Sequence, residues 1–459
     1  MRASCSLLWI CVISCASFHP TCASAPFDFL GTCLFPYGYI FNDTKVGGLS
    51  GLAYRPDTDR FYAIPDERHD PHFHRIAIDV HNGKLEDGRV TFDQVVRLGE
   101  SAIGASGQHF DPEGIGWLGD RLAVSTEPHY VRDLSSPLQW VQGRIIEVDE
   151  GGEWLDDLTL PHLLTSTGEG GPGNNLGFEG LSVPRPLSST NTTNTTSGHP
   201  QQDSPYRSIW ACPESALVQD AVAQGSEASL PQSALAALSH TASGADYKDG
   251  DVRTAVRLME FRQRDDGAGG EWQLNGMWRY DVSAASELKM PSDDRVMLQG
   301  VTEVEVLMPP EGEGEGDGRR PIVMVLERAY TRRWKADEDG EEQGRYGIHL
   351  YAVMPPLQRE GRSIADCWSL LQDCYDVPAL TKVHLIDFQT DLADKHGVEL
   401  DNYEGMALGP VLPDGRRTLV LVNDDNFNPK QIGTQFIALA FSLEDMYEYV
   451  ESEIKNKAI

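Results

Sequence analysis

Long apolar runs, basic charge and the familiar catalytic signatures are all scarce in this sequence, and each scarcity excludes something. After the run from Leu7 to Ala16, no stretch is apolar for long enough to span a bilayer as a helix. Lys and Arg number 38 against 70 Asp and Glu, and the formal charge of −32 repels nucleic acid and anionic membrane surfaces. There is no G-x-S-x-G elbow, no H-E-x-x-H helix and no Walker loop. "GEGGPG" at 168–173 fits G-x-G-x-x-G by letter only, because its proline and the lack of a following helix pattern rule out a dinucleotide turn. Serine-triad hydrolysis therefore has no support. Helical periodicity is confined to "SLEDMYEYVESEIKNKAI" at the C-terminus, with a weaker pattern in "QSALAALSH" at 232–240.

Cysteine is sparse where it matters. Four of the eight, Cys5, Cys11, Cys15 and Cys22, fall in a leader with Arg2, an apolar run and the small-residue pattern Ala23-Ser24-Ala25. That is the pattern of a secretory signal over residues 1–25, with the mature chain starting near Pro26. In an oxidising compartment the remaining four favour disulfides: Cys367 with Cys374 across a short loop, which leaves Cys33 with Cys212. Buried free thiols are the alternative. Asn42, Asn191 and Asn194 head N-x-T sequons. A secreted, glycosylated, monomeric protein without a membrane span is expected.

What is present is a series of short strands. "RFYAIPDE" at 60–67, "RLAVSTE" at 121–127, "SIWACPE" at 208–214, "IVMVLE" at 322–327 and "TLVLVNDD" at 418–425 carry the pattern, so the fold is all-β with a short C-terminal helix over 443–459. Insertions rich in Gly, Ser or acids interrupt it near 186–205, 222–252, 311–320 and 335–345. Entrances of one kind recur: "DPEGIGWLG" at 111–119, "GFEGLSVPR" at 177–185, "NYEGMALGP" at 402–410, and the serine version "LSGLAYRPD" at 49–57. Each leads to a strand ending in acid: Glu113 to Glu127, Glu179 to Glu214, Glu404 to Asp424 and Asp425, Ser50 to Asp66 and Glu67. "GVTEVEVL" at 300–307 leads likewise to Glu327. Such hairpins bring both ends to one rim, and a radial array gathers the rims around an axis. A β-propeller over 26–442 is the reading, with six blades expected and seven the alternative.

Converging carboxylates repel one another unless a cation or a donor network neutralises them. All-oxygen ligation suits Ca²⁺ first and Mg²⁺ second. Glu113, Glu179, Glu404, Asp424 and Asn426 are the candidate ligands. "DDNFN" does not open an EF-hand, since Pro429 and Gln435 stand where Gly and a bidentate acid are required. The competing role for each Glu is a cap on local backbone N–H groups at its own blade interface, far from the other acids. Basic groups follow the acids closely: Arg68 and His69 after Asp66 and Glu67, His109 before Asp111, His129 after Glu127, Arg328 after Glu327. Arg68 and Arg328 are the candidates to hold an anionic ester group. The histidines of "RHDPHFHR" at 68–75 carry surface or loop roles as the alternative.

The ordered set "GLSGLAY...YAIPDER", "DPEGIG...VSTE", "NNLGFEGLSV", "VLERAY" and "NYEGMALGP...LVNDDNFNP" resembles the phytase-like family described as having esterase-like activity of phytase, from about Gly48 to Leu439. The resemblance implies a secreted propeller hydrolysing phosphate or other esters with a divalent metal. Glu113, Glu179, Glu404, Arg328 and Arg68 are the catalytic candidates, and a small anionic ester is the substrate. Two alternatives stand beside it: a non-catalytic extracellular module binding ligands around a structural calcium, and a lactonase-type propeller.

Overall fold

The computed structural model describes residues 26–104, 110–131, 139–167, 169–184, 206–220, 254–264, 270–290, 294–309, 319–333, 344–356, 364–370 and 373–458. The signal segment, His109, Asn191, Asn194, the segment 232–240 and most of the four insertions lie outside these residues.

Five four-stranded antiparallel sheets are formed by the described residues. Blade 1 runs Leu49–Arg55, Arg60–Pro65, His72–Ile78, Val90–Arg97; blade 2 runs Pro112–Trp117, Leu122–Thr126, Ile145–Val148, Trp154–Asp157. Blade 3 comprises Phe178–Ser182, Tyr206–Pro213, Ala255–Arg264 and Gln273–Asp281, and blade 4 Asp294–Leu307, Ile322–Arg333, Gly344–Val353 and Val383–Asp387. Blade 5 takes Tyr403–Val411, Arg417–Asn423 and Thr434–Phe441 from the end of the chain and its outer strand, Phe27–Phe35, from the beginning. That pairing closes the ring without leaving an inner edge exposed.

The first strand of each blade is innermost and packs on its counterpart in the next blade, blade 5 returning to blade 1. The expectation of six or seven blades is thus corrected to five. Inner strands begin at Leu49, Pro112, Phe178, Asp294 and Tyr403, so the long later intervals are insertions within blades 3 and 4, not additional blades. The five hairpin entrances legible in the sequence are the five blades.

Alternation along the strands sends apolar side chains into five wedges between neighbouring blades. The C-terminal helix, Leu443–Lys457, buries Met446, Tyr447 and Val450 against the wedge of blades 4 and 5. Ser442 Oγ caps it by accepting from the Asp445 N–H at 3.3 Å, and its Glu444, Asp445, Lys455 and Lys457 complement the helix dipole. Cys367 and Cys374 are bridged, as expected. Cys33 and Cys212 are not: each is a buried free thiol, Cys33 in the wedge of blades 5 and 1, Cys212 in that of blades 3 and 4. Their strands belong to different parts of the ring, so no bridge joins them.

Candidate cation site on the propeller axis

Every inner strand breaks register, near its start in blades 1, 2, 3 and 5 and in the middle of the longer strand of blade 4. The breaks fall at Ser50, Glu113, Glu179, Thr302 and Glu404. A bulge re-aims the extra side chain, and here it turns the acids toward the shared axis. Glycine follows in four blades because the neighbouring strand comes too close for a side chain: a Cβ on Gly51 would lie 2.5 Å from the Glu113 carbonyl oxygen, and one on Gly114 2.9 Å from that of Glu179. In blade 4 the glycine is replaced by Glu303. Its carboxyl accepts from the Leu181 and Val304 N–H groups at 2.8 and 2.9 Å. Capping, the competing role weighed for the whole series, is realised by this one acid.

The second strands end on the same rim. Register pairs Leu49 with Pro65, Pro112 with Thr126, Phe178 with Pro213, Val301 with Glu327, and Tyr403 with Asn423. The next residue in each is therefore Asp66, Glu127, Glu214, Arg328 and Asp424. Four acids and one arginine occupy equivalent slots. Glu327, expected to join the acids, points the other way, because successive strand residues face opposite sides. Its carboxylate meets the Tyr280 hydroxyl, the Ser283 N–H at 2.9 Å and Lys382.

Arg328 is the counter-charge of one half of the rim. It is 5% exposed; Nη2 donates to Glu214 at 2.6 Å, and Nη1 donates to Glu404 and Asn402. Asn402 Nδ2 donates onward to Glu404 at 2.9 Å and to Asp424 at 3.4 Å. Burial pushes the Glu404 carboxyl up to about 7 and Arg328 restrains it. Arg328, expected to grip an ester's anionic group, has these donors engaged inside the ring.

The other half has no buried arginine at its centre; its guanidinium, that of Arg68, stands at the edge beside Asp111 and Asp66. Glu113, Glu127 and Glu179 bring carboxylate oxygens within 4.8 Å of one another, and Asp66, Asp111 and Glu113 form a second group of the same size. Burial, then the charges of Glu179, Asp66, Asp111 and Glu127, hold the Glu113 carboxyl well above the usual range. Glu127 and Glu179 are raised for the same reasons, although Arg328 eases Glu179. Asp111 is pushed up to about 8 by burial and Asp66, against the pull of Arg68.

Several of these oxygens are already used. Glu127 Oε1 accepts from the Gly177 N–H, and Asp111 Oδ1 accepts from Arg68 Nε at 2.6 Å. Glu127 Oε2, Glu179 Oε2 and Asp111 Oδ2 are buried without a hydrogen-bond partner among the described residues. Buried carboxylate oxygens without donors are costly. Calcium holds its oxygens at about 2.3–2.6 Å, so ligands on opposite sides of one ion stand about 5 Å apart, and the 4.8 Å group fits that span.

Arg68 stands at the edge, 30% exposed. Besides Asp111 it donates to Asn175 Oδ1 at 2.6 Å and to His129 Nε2 at 3.0 Å, and lies 3.7 Å from Asp66. The proposed ligands thus divide: Glu113 and Glu179 meet, with Glu127; Glu404 and Asp424 lie in the Arg328 half. Asn426 is exposed and reaches Asp424 only through its backbone N–H, at 2.6 Å. Asp66, Asp111 and Glu127 were missing from the ligand set, although the acid-ended strand marks Asp66 and Glu127 and the entrance "DPEGIGWLG" carries Asp111. Of the histidines, His69 is exposed, whereas His72 and His74 are buried in blade 1, their Nε2 atoms 3.2 Å apart.

A five-bladed propeller with a buried, partly unneutralised acid cluster on its axis is the class that fold and site define. A family model described as esterase-like activity of phytase matches residues 44–427, and the chain belongs to this phytase-like family. No curated protein matches. Among solved structures, an endo-arabinase from Bacteroides thetaiotaomicron is similar at 9% identity over 91% of this chain and 99% of that chain, with a TM-score of 0.38. The mannose phosphorylase MPT-4 from Leishmania mexicana, solved with a phosphate ion, is similar at 10% identity over 91% and 89%, with a TM-score of 0.34. The RS223 β-xylosidase is similar at 10% identity over 86% and 92%, with a TM-score of 0.35.

Proposed function

We propose that the chain is an exported hydrolase of phosphate or other anionic esters that uses a divalent cation, calcium first and magnesium second, held by Glu113, Glu127 and Glu179. The observation that carries this reading is the burial of these three carboxylates within 4.8 Å of one another, with oxygens of Glu127 and Glu179 lacking any donor. A bound cation lowers the pKa of water and offsets the charge of an anionic ester. Arg68, at the exposed edge, orients the ester's anionic group: three of an arginine's five N–H donors are engaged by Asp111, His129 and Asn175, which leaves one on each terminal nitrogen. Arg328 holds Glu214 and Glu404 in place and works against the rise that burial imposes on both carboxyls. Family membership supports the ester class. The leader and the Cys367–Cys374 bridge support export.

The test is a panel of phytate, aryl phosphate, aryl acetate and a lactone, assayed with calcium and with chelator, on the natural chain and Glu127→Gln. Turnover of an anionic ester that chelator abolishes and Glu127→Gln lowers at least tenfold supports the reading. Calcium binding without turnover of any substrate overturns the catalytic part in favour of a binding module, and turnover indifferent to chelator overturns the cation.

A further inference from the structure

Glu113 belongs to both acid groups, the one with Glu127 and Glu179 and the one with Asp66 and Asp111. We propose that it bridges two cations on the axis, and that the second, held by Asp66, Asp111 and Glu113, forms with Arg68 the seat of a phosphoryl group. This rests on the one-cation reading above and extends it.

Three observations carry it. First, Asp111 is fully buried and divides its carboxylate: Oδ1 accepts from Arg68, while Oδ2 has no hydrogen-bond partner among the described residues and stands 3.6 Å from His129 Nδ1. Glu127 divides its own in the same way, Oε1 to the Gly177 N–H and Oε2 to nothing, so each group presents a spare buried oxygen of its own. Second, Asp66, Asp111 and Glu113 bring three carboxylates together against one guanidinium, that of Arg68, which meets Asp111 at 2.6 Å and Asp66 at 3.7 Å and leaves the group with a net negative charge. Third, the rim's carboxyl groups far outnumber Arg68 and Arg328, so a single divalent ion leaves an excess of negative charge that would repel a phosphate. Two ions sharing a carboxylate reduce that excess and clamp the oxygens of a phosphoryl group, as paired metals do in phosphoester hydrolysis. At the exposed edge of the second group Arg68, whose Nε, Nη1 and Nη2 each hold one partner (Asp111, His129 and Asn175), keeps one further N–H on each terminal nitrogen for a phosphoryl oxygen. Carboxyl esters and lactones need neither the second ion nor these donors.

The experiment counts ions on the full mature chain. Calcium titration by calorimetry in 0.15 M salt, with Tb³⁺ luminescence as a second probe, is run on the natural chain, Glu113→Gln, Asp66→Asn and Glu127→Gln. Circular dichroism checks each variant's fold. Asp66→Asn leaves the Arg68 contact with Asp111 in place. The expected result is two rim ions in the natural chain, one in Asp66→Asn and one in Glu127→Gln, with both weakened at least tenfold in Glu113→Gln. Inorganic phosphate should bind the calcium-loaded natural chain at least tenfold more tightly than loaded Asp66→Asn. One rim ion, lost in Glu127→Gln but kept in Asp66→Asn, overturns the second site and leaves the first intact. Equal binding by the natural chain and Glu113→Gln overturns both. Phosphate affinity unchanged in Asp66→Asn overturns the phosphoryl seat. Should Glu113→Gln fail to fold, the other two variants still decide the count.

Discussion

Glu404 and Glu113 occupy the same slot, each at the register break that opens an inner strand and each buried on the axis. Around Glu404 the neighbouring blade supplies Arg328, and Asn402 completes a hydrogen-bonded network. Around Glu113 the neighbours are Glu179, Asp66, Asp111 and Glu127. The same residue type is therefore a partner in a closed ion pair on one side of the ring and a member of a crowded acid cluster on the other. The difference comes from one blade: blade 4 places Thr302 where its neighbours carry Glu and Arg328 where they carry an acid. A ring of acids can be folded only if its charge is neutralised, and this ring does so from within over half its circumference.

The comparison can be broken most directly at Arg328. Arg328→Ala leaves Glu214 and Glu404 buried without their counter-charge and should lower stability by about 3–5 kcal/mol at pH 8. The loss should shrink at pH 5, where the Glu404 carboxyl, raised to about 7, takes up a proton. Urea unfolding at the two pH values measures it, and an equal loss at both would mean that packing rather than charge holds that half together.

A smaller effect separates the halves by pH. Glu404 and Asp111 have folded-state values raised to about 7 and about 8, so between about pH 4.5 and 8 the folded chain binds more protons than the unfolded one. Stability in chelator should therefore be highest below about pH 4.5 with respect to these groups, and fall by a few kcal/mol as pH rises to about 8. Calcium should restore it, with a rise in Tm that grows with pH. Melting curves with and without calcium at pH 5, 6.5 and 8 check the sign; a calcium effect larger at pH 5 than at pH 8 contradicts it.

The smallest effect is the sharpest contrast. Glu127→Gln retains an acceptor for the Gly177 N–H and removes one repelling charge, so in chelator at pH 8 it should stabilise the protein by about 1 kcal/mol. Glu404→Gln removes a partner of Arg328 and should destabilise it by about 1–3 kcal/mol. Changes of the same sign would erase the distinction between the halves.

Much of this was legible along the chain. The entrances at Ser50, Glu113, Glu179 and Glu404, and the acids that end the paired strands, announced one rim. Inserted length concealed the blade count: spacing between repeats measures chain, whereas a blade is defined by pairing. Arg328 was visible as a basic residue beside an acid, but its role was hidden, since one position decides whether Glu327 or Arg328 faces the axis.

The strands, the hairpins, the C-terminal helix and the Cys367–Cys374 loop follow from the sequence alone, because periodicity, turn residues and short separation are local quantities. Tertiary structure decided the rest. Closure by Phe27–Phe35 makes five blades a ring, and register within blade 4 turns Arg328 inward and Glu327 outward. It also separates Cys33 from Cys212 and divides seven similar acids between the Arg328 guanidinium and a crowded cluster. The charge a carboxylate meets depends on residues far away in the chain, and only the closed ring sets those distances.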